Sequence, residues 1–197
     1  QAITETYGPF GSGKCVDKET PVIFFNDKHP YFTSIEEAYR RYKMKYKELK
    51  LNDGFAIPLK NVKLLGITEN GIKKVKASYL FKQYVDKILQ IKTRKGRVLR
   101  ITKLHKLLAL NESGITWKPA FLLKVGDAIL VPRDLDISKI LDEGYEKDLI
   151  CGDLTKDLIT EIEEVEYSDF VYDFVVSHYH NFIGGNLPTI FHNTQLA

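Results

Sequence analysis

With two cysteines in 197 residues, Cys15 and Cys151, far apart and with no secretory leader in view, the chain has no basis for a disulfide framework. A Cys15–Cys151 bond would block the Cys15 thiol under oxidation, yet no spacing argument brings the two sulfurs together. Long apolar runs are also missing, which excludes a membrane-spanning helix and a membrane partner. Charge of one sign is scarce: 29 Lys and Arg stand against 26 Asp and Glu, for a net +3. Lysines do gather at Lys43, Lys45, Lys47 and Lys50, and at Lys73, Lys74 and Lys76. Such groups are the ordinary solvated face of a helix and a hairpin as readily as a nucleic-acid surface. Internal repeats and low-complexity segments are absent. What remains, 44% hydrophobic and 28% charged, is the composition of one soluble domain with a real core, expected in the cytoplasm.

The most specific feature present is a phosphate-loop pattern that stops short. Gly8-Pro9-Phe10-Gly11-Ser12-Gly13-Lys14 reads G-x-x-x-x-G-K, but Cys15 follows where Ser or Thr must hold Mg²⁺. The segment after Lys14 does not open a helix that would face phosphates: Pro21 and the run Val22-Ile23-Phe24-Phe25 read as a strand. The missing hydroxyl stands near the other end, in Asn193-Thr194-Gln195-Leu196-Ala197. Joining Lys14 directly to Thr194 gives Gly-Pro-Phe-Gly-Ser-Gly-Lys-Thr-Gln-Leu-Ala, an uninterrupted P-loop whose members are Gly8, Gly13, Lys14 and Thr194.

Between those ends the pattern is mostly strand and turn. One helix is marked, with Ser34 and Glu37 as a capping box and Ile35, Ala38, Tyr39, Tyr42, Tyr46 and Leu49 at helical spacing. Val62 to Ile67 and Ile72 to Tyr79 flank Asn70-Gly71, a hairpin signal. Leu89 to Thr93 and Val98 to Thr102 flank Lys95-Gly96. Strands are further expected at Lys106 to Leu110, Ala128 to Val131, Ile159 to Glu166 and Phe170 to Val176, with a surface loop or short helix over 134–156. The fold class is all-β, many short strands with one or two peripheral helices.

From Cys15 to Asn193 the chain resembles a class 1 mini-intein of the Hedgehog/intein (HINT) fold. The resemblance rests on Cys15 at the start and Thr102-Lys103-Leu104-His105 in the middle. It continues through Val171-Tyr172-Asp173-Phe174-Val175-Val176, His180-Asn181-Phe182 and the ending Phe191-His192-Asn193 before Thr194. Val125-Gly126-Asp127 with Val131-Pro132-Arg133 adds to it. Lys103 and Lys106 stand where prolines often flank the histidine of this motif. No dodecapeptide resembles a LAGLIDADG endonuclease, which implies a splicing-only element. The rejoined flank resembles the ATP-binding loop of archaeal RadA/RecA-type recombinases, with Pro9 in place of the more usual acidic residue. Residues 1–14 and 194–197 would then be host flanks, and 15–193 the splicing domain.

The resemblance implies a self-contained reaction. Cys15 attacks the Lys14 carbonyl to form a thioester, with His105 protonating the Cys15 nitrogen and Thr102 holding the tetrahedral centre. A free thiol is mostly protonated at neutral pH, so Cys15 needs a base or a lowered pKa. Thr194 then takes over the N-terminal flank, coordinated by Asp173. Asn193 cyclises and breaks its bond to Thr194, with His192 stabilising the oxyanion and His180 assisting proton transfer. The ester finally rearranges to an amide. No cofactor is implied, no metal and no obligate nucleic acid; the partners are the chain's own flanks, and a monomer suffices.

Other readings of the same residues stay open on sequence alone. Thr102 and His105 are also ordinary strand-end residues, Asp173 a turn cap, and His178 competes with His180. The spacing of His178, His180 and His192 is too loose for a structural Zn²⁺ site, and His29 carries no functional signal. Two different classes of protein compete with splicing. A P-loop nucleotide-binding fragment would bind ATP as the intact chain. A basic nucleic-acid-binding β-domain would show salt-dependent binding and no cleavage at either junction.

Overall fold

The computed structural model describes residues 14–143 and 153–193. Gly8, Gly13, Cys151 and Thr194 lie outside the described residues, and with them the rejoined phosphate loop, the flanking segments 1–13 and 194–197, and the Cys15–Cys151 pair.

Fourteen strands form one continuous, strongly bent antiparallel network. They are β1 (Val16–Asp17), β2 (Pro21–Asn26), β3 (His29–Ser34), β4 (Leu49–Lys50), β5 (Phe55–Pro58), β6 (Val62–Thr68) and β7 (Gly71–Thr93). The remainder are β8 (Val98–Ile101), β9 (Lys106–Asn111), β10 (Gly114–Pro119), β11 (Ala128–Pro132), β12 (Leu154–Val176), β13 (Asn181–Gly184) and β14 (Thr189–His192). Among the described residues two α-helices accompany them, α1 (Ile35–Lys43) and α2 (Ile137–Glu143). The all-β expectation holds.

The frame is the pair β7 and β12, each of 23 residues. The sequence predicts two shorter strands in each place. They fuse because both chains bend without breaking their ladder: register slips sit at Ile159/Glu161, Glu166/Asp169 and Val175/Val176. A bulge adds a residue to one strand and resets the inward face, so the period-2 pattern restarts mid-strand and reads as two elements. Each long strand therefore changes partners along its length. β7 pairs with β6, β5 and β8 as well as β12, and β12 runs from β11 at one end to β1 at the other.

Both predicted hairpins form at the expected turns. Thr68 pairs with Gly71, which follows the turn at φ 98°, and Gly96 closes the turn between β7 and β8 at φ 101°, both in a conformation that glycine enters without strain. The helix is shorter than its apolar spacing predicts. Ser34 accepts the Glu37 amide at 3.2 Å as its N-cap, but α1 ends at Lys43 and Leu49 belongs to β4. Tyr46 still stacks on Tyr42 at 6.2 Å, which is why the period survives beyond the helix. In the segment 134–156, α2 and the first residues of β12 are the ordered parts described.

The central strands are buried on both faces. Val22 and Phe24 enter one apolar cluster with Phe174, Phe182, Phe191 and the α1 residues Ile35, Ala38, Tyr39 and Tyr42. Ile23 and Phe25 enter the other, with Ile183, Ile190 and Ile140 of α2. Alternation along β2, β13 and β14 sends successive side chains to opposite clusters, so these strands read as unbroken apolar runs. Each fully buried phenylalanine contributes about 2–3 kcal/mol of transfer free energy. This double burial fixes the ends of β1, β9 and β14, where the motif residues sit.

Candidate active site

The strand registers carry the two ends of the described chain to one place. Val16 pairs with Ile101 and with Tyr172, which puts Cys15, one residue earlier, level with Thr102 on one side and Asp173 on the other. Phe191 and His192 pair with Leu107 and Lys106, which brings Asn193 level with His105. The short segment 102–105 thus links the two junctions, Lys14–Cys15 and Asn193–Thr194. Cys15, His105, Asp173 and Asn193 are all 0% exposed. A nucleophile, an imidazole, a carboxylate and an amide in one dry region is an arrangement that apolar packing alone does not call for.

Thr102 holds Cys15 by both ends of the residue. The Cys15 N–H donates to Thr102 Oγ1 at 2.9 Å, and the Thr102 N–H donates to the Cys15 carbonyl at 3.0 Å. The threonine hydroxyl lies 3.3 Å from that same carbonyl. The Cys15 nitrogen, the leaving group that the resemblance implies, is therefore held by Thr102. His105 is tied through its backbone, its N–H to the Thr102 carbonyl at 3.0 Å and its carbonyl to Ala120 N–H at 2.8 Å. Its ring stacks at a tilt near Phe191, 5.3 Å between centroids, and neither ring nitrogen has a hydrogen-bond partner among the described residues.

Burial decides the charge states. Desolvation first, then the neighbouring His192 and Lys14, push His105 down to about 3. Desolvation with Lys106, Lys14 and His180 nearby pushes His192 down to about 4. Both imidazoles are neutral at pH 7. The resemblance implies a His105 with a proton affinity near operating pH, and the site instead holds it well below, because burial strips a cation of the water that would stabilise it. The Cys15 thiol is held well above its usual range, chiefly by burial, then by Asp173 and Asp53. The Lys14 ammonium is lowered by burial and by Lys106, and raised by Asp173. Lys106, one of the two departures from the motif's prolines, is thus a cation facing both junctions.

One consequence is a pH dependence of stability. The two histidines have folded pKa values below their unfolded value near 6.5, so the unfolded chain binds more protons between about pH 6.5 and pH 4. Stability is expected to fall as pH drops through that window, by up to about 1.4 kcal/mol per pH unit for each histidine. Denaturant midpoints measured from neutral to acid pH check this. His192→Gln should flatten the slope, and an unchanged slope would show that the ring is not buried as described.

The C-terminal junction is held by backbone. Asn193 N–H donates to the His180 carbonyl at 2.9 Å, and His180 N–H donates to the Val176 carbonyl at 3.1 Å. His180 takes φ 58°, a left-handed conformation uncommon for a non-glycine residue. Its ring lies 6.5 Å from that of His192, whose other side meets the Trp117 ring at 4.8 Å. Asn181 secures the turn: its Oδ1 accepts from Ile67 N–H at 2.7 Å, and its Nδ2 donates to the Ile67 and Tyr179 carbonyls at 3.0 Å each. Gly66 leaves room for this contact, since a Cβ there would lie 2.9 Å from the Asn181 carbonyl. His178 is exposed and its ring lies against Tyr179, so of the two competing histidines it is His180 that faces His192.

Of the sequence-predicted residues, Lys14, Cys15, Thr102, His105, Asp173, His180, His192 and Asn193 are brought together, and Thr194 lies outside the described residues. Sequence reasoning missed Gln83, Asp53, Trp117 and the bracketing role of Asn181. Gln83 had a faint signal, a polar residue on the inward face of a strand beside Phe81. Among the described residues no group of three or more His, Cys, Asp or Glu is placed to hold a metal ion. No helix there is long and apolar enough to cross a membrane.

Residues 22–193 match the intein splicing domain family. An A-type ATP synthase subunit from Thermoplasma volcanium is 31% identical over 201 residues, covering 96% of this chain and 25% of that protein. The replication factor C small subunit of Methanocaldococcus jannaschii is 36% identical over 129 residues, 64% of this chain and 6% of that one. The chain thus spans a quarter or less of the length of these curated relatives. Among solved structures, the TvoVMA intein superposes with a TM-score of 0.76 at 26% identity, covering 91% of this chain and 98% of that one. The transcription factor IIB Mvu mini-intein shares the fold, with a TM-score of 0.75 at 20% identity over 90% of this chain and 99% of that one. The chain belongs to the intein family, and its activity is autocatalytic protein splicing.

Proposed function

We propose that splicing here runs through Cys15, Thr194 and Asn193 in that order. Residues 15–193 form the splicing domain, and residues 1–14 and 194–197 are the host flanks. Cys15 sulfur attacks the Lys14 carbonyl carbon, the C–N bond breaks, and the N-terminal flank becomes a thioester. Thr102 Oγ1 holds the leaving nitrogen in register, and His105, once its ring has taken up a proton, passes that proton to the nitrogen as it becomes basic. Thr194 oxygen then takes the acyl group, with Asp173 coordinating the transfer. Asn193 Nδ2 attacks its own carbonyl carbon, releasing the Thr194 amine, with His192 and His180 serving the oxyanion and the proton transfer. The Thr194 ester moves to that amine through a five-membered approach that needs no catalyst.

The observation that carries this reading is the segment 102–105, which binds Cys15 at one end and lies level with Asn193 at the other. A nucleophile fully removed from water beside a threonine clamp has no evident structural purpose.

The host we infer is a P-loop ATPase of RadA/RecA recombinase type, because excision joins Gly8 to Lys14 directly with Thr194 and restores the Mg²⁺ hydroxyl. The chain acts as a monomer in the cytoplasm, on its own flanks, and needs neither cofactor nor nucleic acid.

Mass spectrometry of the intact chain, followed over time and temperature with and without reductant, tests the scheme. Splicing yields Cys15–Asn193 and a peptide joining Gln1–Lys14 to Thr194–Ala197, whose masses sum to the precursor until the imide hydrolyses. Hydrolytic fragments alone would mean cleavage without ligation. A chain that stays whole under every condition would end the proposal.

A further inference from the structure

The first step leaves one requirement unassigned, a base for a thiol that burial keeps protonated. Several groups other than Thr102 bear on Cys15, three of them side chains. Asp173 acts on it from β12. Gln83, on β7, presents Oε1 to the Cys15 Sγ at 3.8 Å, a distance suited to an S–H donor. Asp53, in the loop 51–54 between β4 and β5, also acts on the thiol electrostatically. Cys15 packs in an apolar cluster with Ala56, Phe81, Ile88 and Val171.

Asp53 is the unusual member. Its Oδ2 is buried and has no hydrogen-bond partner among the described residues. Burial raises its carboxyl above the ordinary range. A carboxylate kept in such a place costs free energy that a leucine would not. The loop is also fixed against the same wall as the sulfur. A Cβ on Gly54 would lie 2.2 Å from the Lys82 carbonyl and 2.9 Å from the Phe81 ring, so only glycine lets the loop approach this closely. Leu51 N–H closes the loop on the Gly54 carbonyl at 2.8 Å. Asp173 already faces Lys14 and the later transfer to Thr194 in the scheme above.

We infer that Asp53 is the base that accepts the Cys15 thiol proton, with the Gln83 amide oxygen aligning the S–H bond. This rests on the splicing scheme and adds a residue to its first step. Asp53 Oδ2 takes the proton, and the sulfur lone pair forms the bond to the Lys14 carbonyl carbon. The C–N bond breaks with its electron pair remaining on nitrogen. The nitrogen takes up one proton, and Asp53 returns one to water, so a single proton has moved from sulfur to nitrogen overall. A base whose pKa is raised toward that of the thiol makes this transfer less uphill than an ordinary carboxylate would.

The test uses the full chain carrying Thr194→Ala and Asn193→Ala, in which only the first step runs. Dithiothreitol cleavage at Lys14–Cys15 is followed by mass spectrometry from about pH 5 to pH 9, and Asp53→Asn is expected to slow it about 100-fold and remove the limb that rises with pH at the acid end. Asp53→Glu should retain that limb and most of the rate. Gln83→Leu should slow cleavage about tenfold with the limb kept. The melting temperature of Asp53→Asn should not fall, because a neutral amide costs no more to bury than the carboxylate. Parent-rate cleavage by Asp53→Asn with the limb intact overturns the inference. So does slow cleavage with a melting temperature that falls in step and no rescue by glutamate, the mark of a structural role. If the parent itself fails to cleave, the splicing scheme fails, a different result from either of these.

Discussion

Asn193→Ala is expected to keep the C-terminal flank attached at every temperature, while the Lys14–Cys15 bond still exchanges to a thioester that added thiol cleaves. Cyclisation needs a side-chain amide nitrogen that can reach its own backbone carbonyl carbon in a five-membered ring, and alanine supplies none. The rate should fall below detection, at least about 10³-fold, since the orientation that makes an intramolecular attack competitive is lost together with the nucleophile. The surroundings of Asn193 suit the role proposed for it. Asn193 is 0% exposed, and its N–H is held at 2.9 Å by the carbonyl of His180, a residue fixed in a left-handed conformation. Asn181 locks that turn to β6 through two hydrogen bonds with Ile67, and closes it with a third to the Tyr179 carbonyl. The backbone that leads into the C-terminal junction is thus anchored on its N-terminal side. The N-terminal half of the site is built separately, on β1 and the segment after β8, around the hydrogen bonds between Thr102 and Cys15. Mass spectrometry with hydroxylamine present should therefore show N-terminal release without C-terminal release. Persisting cleavage between residues 193 and 194 would mean that something other than succinimide formation breaks that bond.

The site is legible in the sequence at its ends and obscure in its middle. Cys15, His192 and Asn193 are visible because they adjoin the interrupted phosphate loop, a relation that needs no fold to see. Thr102 and His105 are visible through a short motif, and the ladder of β1 on β8 gives that motif its meaning, with the threonine hydroxyl at the Cys15 nitrogen. Asp53 and Gln83 carry no comparable local signal. Gln83 lies 68 positions from Cys15 and meets it because β7 and β1 both pair with β12. The turns at Gly71 and Gly96 can be read because a positive φ is a local demand on one residue. Strand length is misread for the opposite reason. β7 and β12 keep their ladder through bulges that local alternation registers as ends. Charge states are equally beyond the sequence, since an isolated histidine gives no sign that burial will take it to about 3 or 4.

The largest expected effect on stability falls at another pair the sequence does not mark, Arg97 and Asp157. Asp157→Ala is expected to cost about 3–5 kcal/mol, because it leaves a guanidinium buried without its anion. Arg97 is 4% exposed and Asp157 1%, and Arg97 Nη1 donates to Asp157 Oδ2 at 2.9 Å. The same carboxylate accepts from Thr93 Oγ1 at 2.6 Å and from Lys95 N–H at 3.0 Å, so it also closes the β7–β8 turn. On its other side Arg97 donates to the Pro188 carbonyl, from Nε at 3.1 Å and Nη2 at 2.7 Å, and to Thr189 Oγ1 at 3.2 Å. Thr189 opens β14, the strand that ends at His192. The pair therefore ties the long β7–β12 frame to the strand that delivers the C-terminal junction. Replacing both partners with apolar residues, Arg97→Met with Asp157→Leu, should recover most of the loss, since neither charge is then stranded. Denaturant midpoints of the single and double variants measure this, and a single-variant cost below about 1 kcal/mol would place the pair with the exposed ion pairs of β7 and β12. Because the same guanidinium positions the start of β14, the single variant should also slow C-terminal cleavage more than N-terminal thioester formation. A uniform slowing of both steps would instead make the network a support of the whole fold, with no particular hold on the Asn193 end.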